Sequence, residues 1–80
     1  MDDLQASIFK LHDRRNGFAQ YTLRFMRASG DIVAIDPPPP ILNVQLVNGT
    51  PDQAGRASAC HTLRLVAKLH GTLFVLDNAE

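Results

Sequence analysis

The chain changes its hydrophobic period at a run of prolines, Pro37 to Pro40. Before the run, residues 7 to 27 alternate in the two-residue period of strands. Arg15-Asn16-Gly17 divides them. Glycine tolerates the left-handed conformation that closes a three-residue hairpin loop. That loop sets Arg14 against Phe18, and pairing runs outward from there. One face collects Asp13/Ala19, Leu11/Tyr21, Phe9/Leu23 and Ser7/Phe25. The other collects Arg14/Phe18, His12/Gln20, Lys10/Thr22 and Ile8/Arg24. Apolar and polar residues sort between the faces, and a slip of one residue would carry a whole strand to the opposite side. The competing pattern is a helix from Asp3 to Arg15, with Leu4, Ile8 and Leu11 on its stripe and Asn16-Gly17 at its end. Phe9 falls off that stripe.

Ala28-Ser29-Gly30 repeats the turn chemistry. In its register Arg27 faces Asp31, Phe25 faces Val33 and Leu23 faces Ile35. Residues 1–36 therefore read as a three-strand antiparallel meander. Its inner face holds Phe9, Leu11, Tyr21, Leu23, Phe25, Val33 and Ile35. Prolines have no N–H and a fixed φ, so 37–40 form an extended polyproline connector.

Residues 41–80 read as strand, helix, strand. Leu42, Val44 and Leu46 alternate with Asn43 and Gln45. Asn48-Gly49 turns the chain. Thr50-Pro51-Asp52-Gln53 then has the order of a helix start, with Thr50 as cap, Pro51 at the first helical position and Gln53 closing a capping box. The helix runs to about His70 and stops at Gly71. Ala59, Cys60, Leu63, Val66 and Ala67 form its main apolar face. Leu65 and Leu69 widen the arc, which implies contact with more than one layer. His61, Arg64 and Lys68 form the wet stripe. Thr72 to Leu76 is a continuous apolar run that suits a strand buried on both faces. The predicted fold class is α+β: a three-strand meander continued by a strand–helix–strand unit with parallel strands and a right-handed crossover. This gives about five strands with one long helix packed on one face.

Composition narrows the function. Eighty residues make one domain, 1–80, and a 45% hydrophobic share with 20% charged residues is globular rather than disordered. Eight basic and eight acidic residues cancel, which excludes bulk attraction to DNA or an anionic membrane. The single Cys60 excludes an internal disulfide framework and points to a reducing cytoplasm. No apolar run is long enough to span a bilayer, and the acidic start Met1-Asp2-Asp3 is unlike a signal peptide.

The chemical templates lack parts. Ser7, Ser29 and Ser58 sit in no nucleophile-elbow sequence. Cys60 falls on the apolar helix face and reads as a core thiol. The carboxylates fall at turns, caps and termini, and no glycine loop cradles phosphate. Cys60, His12, His61 and His70 lack the spacing of a metal set. The expectation is a non-enzymatic protein without metal or cofactor. The proline run lacks a neighbouring Arg or Lys and reads as a connector rather than a ligand for a polyproline-binding domain.

Two binding readings remain. In the hairpin register Lys10, His12, Arg14 and Arg24 share an exposed face with Phe18, as in some binders of single-stranded nucleic acid. The same face carries Phe18 and Met26, with Ile32 opposite Met26. Aromatic, Met and Arg side chains together suit the core of a protein interface. A protein partner is the first expectation, contacted through Lys10, Arg14, Phe18, Arg24 and Met26, and nucleic acid is the alternative. Leu65 and Leu69 form a second patch, and a homodimer seam would also cover such area.

In size, and in being a compact cytosolic α+β chain without catalytic or metal motif, the sequence resembles the small phage- and prophage-encoded anti-CRISPR inhibitors. The resemblance covers the whole chain at the level of build and transfers no site residue. It implies stoichiometric binding to a bacterial CRISPR effector complex and a block on its capture of target DNA. Many such inhibitors are acidic mimics of DNA. This neutral chain, with its basic strand face, fits contact through a mixed apolar and basic patch.

Overall fold

The computed structural model describes residues 4–11, 17–72 and 74–77. Strands β1 (Leu4–Leu11), β2 (Phe18–Arg27) and β3 (Ile32–Val33) come first. Strand β4 (Leu42–Val47), strand β5 (Thr50–Pro51), helix α1 (Gln53–Leu69) and strand β6 (Val75–Asp77) follow. The class is α+β, as the sequence indicates. The sheet runs β5-β4-β2-β1-β6, and β3 shares the β4 side of β2. β6 lies parallel to β1, while β4 is antiparallel to β2 and β2 to β1. β4 and β6 therefore point the same way across the helix, separated by β2 and β1. Residues 4–11 form a strand, not a helix.

The second hairpin has its predicted register. Phe25 faces Val33 and Met26 faces Ile32, with the Arg27 N–H donating to the Asp31 carbonyl at 2.9 Å. Gly30 takes φ 98°, where a side chain would be strained. β3 ends after two residues, and the Asp36–Pro37 bond is cis.

The first hairpin does not have its predicted register. Ile8 faces Leu23, Ala6 faces Phe25 and Lys10 faces Tyr21, one residue away from the expected pairing. Ala6 and Ile8 thus join the core, and Phe9 and Leu11 turn to the other face. The reason lies in β1 itself, which has apolar residues at both parities: Leu4, Ala6 and Ile8 on one, Phe9 and Leu11 on the other. Packing then decides. Small Ala6 and Ala19 in the sheet lie in one buried cluster with Ala59 and Ala67 of the helix, which permits close approach between the layers. Tyr21, Phe25 and Leu63 fill the space between them, all essentially without exposure. A Phe9 ring on this side would not fit so close a contact. Of the predicted loop Arg15-Asn16-Gly17, Arg15 and Asn16 lie outside the described residues, and Gly17 takes φ 71°.

The helix start also differs. Asn48 and Gly49, with φ of 53° and 79°, form a primed hairpin turn that pairs Thr50 and Pro51 with Val47 and Leu46. Thr50 is thereby used as strand, and Asp52 becomes the cap, accepting from the Gly55 N–H at 2.9 Å. The C-terminal stop is as expected. Gly71 at φ 80° closes a double-bonded cap, with its N–H on the Lys68 carbonyl and that of Thr72 on Ala67. The helix buries Ala59, Cys60, Leu63 and Ala67 on the sheet and leaves Leu65 and Leu69 exposed. β6 is not buried on both faces, since Phe74 and Leu76 are exposed. Among the described residues this short strand at the end of the sheet has only β1 beside it, with the helix on one side. Arg64 ties the helix to this strand through Asp77 at 3.0 Å, with Arg56 at 3.8 Å.

Candidate partner-binding face

Because α1 covers one side of the sheet, side-chain parity assigns each residue to the helix side or to the open side. Lys10 shares the side of buried Tyr21, which is the helix side. Arg24 pairs with Ser7 on the open side. The two cations expected to act together are therefore on opposite faces. Arg14 lies outside the described residues. Phe18, Arg24 and Met26 do share the open side, as expected. They are joined by Phe9, which the sequence pattern had placed in the core.

The open side has an organised centre. The Arg24 guanidinium lies 4.5 Å from the centroid of the Phe9 ring, a cation–π contact. Thr22, nearly buried, donates its hydroxyl to the Pro40 carbonyl at 2.9 Å. The proline run is thus held against the sheet rather than spanning solvent. Gln20 donates to Asn43 at 3.2 Å, along the row that links β2 and β4. Around this centre the apolar rim is wet: Phe18 is 40% exposed, Ile32 67% and Leu76 42%. Arg24 contacts no carboxylate among the described residues. On this face it is also the one Lys or Arg among them.

Other candidate chemistry is on the helix side. Cys60 is buried, and burial, reinforced by the charge of Asp77, pushes its thiol pKa up. It is held as the neutral thiol, the poorer nucleophile. His70 caps the helix and sets its ring edge-on to Phe25 at 5.5 Å. No three His, Cys, Asp or Glu side chains among the described residues gather as metal ligands. Among the same residues no helix is long and apolar enough to cross a membrane.

Comparison with known proteins adds no relative: no family model, no curated protein and no solved structure matches the chain.

Sequence reasoning missed Phe9 and the prolines as parts of this face. For Phe9 the available signal was the Ile8-Phe9 pair, which gives β1 an oily residue on either side. For the prolines the expected pairing of Thr22 with Lys10 concealed the signal, and only the observed partner, Phe9, leaves that hydroxyl without a polar neighbour across the pair.

Proposed function

We propose that this protein is a non-enzymatic protein-binding module that docks its partner on the open side of the sheet. The observation that carries the reading is the pairing of an exposed apolar rim with a guanidinium that contacts no carboxylate among the described residues. Phe18, Met26 and Ile32 supply apolar contact area, and Arg24 on Phe9 supplies a positioned charge. Aromatic, Met and Arg side chains are those enriched where interfaces are energetically strong. Direct binding of nucleic acid has less support on this face. It needs a row of cations along the phosphates, and Lys10 has left this face. The partner class to test first is a bacterial CRISPR effector complex, on the resemblance in build described above.

The experiment compares wild type with Met26→Glu and Phe18→Glu on the open side and with Leu69→Glu on the helix as control. Each is tested for capture of an effector complex and for its ability to stop that complex binding target DNA. Loss with the open-side variants and retention with the control supports the reading. Equal loss with all three, or none, rejects this face. A fluorescent single-stranded oligonucleotide titrated at two salt concentrations tests the other reading, which requires binding that falls steeply as salt rises.

A further inference from the structure

The sheet has a notch on the β3/β4 side of β2. β3 pairs with β2 only at Phe25 and Met26, and β4 only from Phe18 to Tyr21. Among the described residues no strand lies beside Thr22, Leu23 and Arg24 there. Arg27 directs both its N–H and its carbonyl toward the β3 hairpin. Main-chain direction alternates along a strand, so Leu23, four residues earlier, directs its polar groups into the notch. A cleft of about 270 Å³ opens at this place, between Phe9 and Arg24 on one hand and Ile32, Ile35, Pro38 and Pro39 on the other. Apart from Arg24, its lining side chains are apolar. The Asp31 carboxylate accepts from Ser29 at 3.1 Å.

We propose that this cleft receives the C-terminal residue of a partner chain, which rests on the protein-binding reading above. The apolar side chain enters between Phe9 and the prolines. The last amide runs beside Leu23, and the terminal carboxylate pairs with Arg24. Three features converge on that occupant. The volume falls just below the ~300–1,000 Å³ of sites for drug-sized molecules, so one large side chain suits it better than a cofactor. The break in the ladder offers main-chain groups that an added peptide strand can meet, which a fatty acid cannot. A planar guanidinium with no carboxylate partner among the described residues is shaped for a carboxylate.

The test uses the full chain and the peptide Gly-Ser-Val-Leu-Phe in free-acid and C-terminally amidated forms, with decanoate as a third probe. Binding is followed by calorimetry and by amide chemical shifts. The free acid is expected to shift the Leu23, Arg24 and Ile35 amides and to bind about tenfold tighter than the amide, the scale of one charge-assisted hydrogen bond. Arg24→Gln, folded by circular dichroism, is expected to reduce the acid to the affinity of the amide and to leave the amide unchanged. Equal binding of both peptides, no binding, or shifts confined to other parts of the surface would overturn the proposal. So would decanoate binding as tightly as the free-acid peptide. If the peptides fail while Met26→Glu and Phe18→Glu still abolish partner capture, the cleft assignment falls and the protein-binding reading stands.

Discussion

Replacing Ile8 and Phe9 in turn by glutamine separates the two possible faces of β1, because these neighbours point in opposite directions. Ile8 is fully buried opposite Leu23. Removing it from the core forfeits about 1.5–3 kcal/mol of burial. Leaving an amide there without partners costs roughly 1–3 kcal/mol more. The Ile8→Gln loss is therefore about 2.5–6 kcal/mol, against a total stability of roughly 4–12 kcal/mol for a chain of this length. Phe9 is half-buried on the open side. Phe9→Gln gives up about half of a ring's burial, roughly 1 kcal/mol. It also loses the Arg24 contact, worth about 0.5–1 kcal/mol at an exposed site, while the new amide stays hydrated. Urea denaturation followed by circular dichroism measures both. Ile8→Gln is expected to be unfolded without urea or to lose most of its midpoint, and Phe9→Gln to keep a cooperative transition. An equal or larger loss for Phe9→Gln would refute the register.

Further outcomes follow from other contacts. Asp52→Ala removes the side chain that caps the helix and should cost about 1 kcal/mol, while Asp52→Asn should recover most of it, read as melting temperature. The Tyr21 hydroxyl is buried without a partner among the described residues, so Tyr21→Phe should melt no lower than wild type, and a fall would mean the hydroxyl is bonded. Because the folded state holds the Cys60 thiol pKa above its unfolded value, this group's stabilising contribution is complete at neutral pH. It is lost as pH rises from the unfolded value of about 8.5 toward the folded one. Stability measured between pH 8 and 10 should accordingly fall less steeply in Cys60→Ala than in wild type, and equal slopes would contradict the shift. The native thiol should also resist an aromatic disulfide reagent until urea unfolds the chain.

Much of the architecture was legible because local signals agreed with the global fold. Gly30 and Gly71 stand where a positive φ is required, and both the β3 hairpin and the helix stop formed around them. Ala59, Cys60, Leu63 and Ala67 gave the helix face that is buried. Legibility failed where one residue type could serve two structures. Thr50 and Asp52 both cap helices, and the Asn48-Gly49 turn decided between them by drawing Thr50 into a strand. β1 offered oily residues on both faces, and the choice depended on helix-to-sheet distance, a tertiary quantity that no alternation within one strand encodes. That single slip moved Lys10 to the helix side and Phe9 to the open side, so the candidate site was half legible: Phe18, Arg24 and Met26 were placed together, and their aromatic support was not. The proline run read as a spacer because its contact with Thr22 joins residues far apart in sequence.

Cross-strand nuclear Overhauser effects between α-protons test this arrangement most directly. Leu23 directs its main-chain groups toward the notch, so Ile8 and Leu23 form a pair not hydrogen-bonded to each other, in which α-carbons approach to about 4.5 Å. Strong contacts between the α-protons of Ile8 and Leu23, and of Lys10 and Tyr21, are expected. Contacts between Phe9 and Leu23, and between Leu11 and Tyr21, would instead return Phe9 to the core and take its ring away from Arg24.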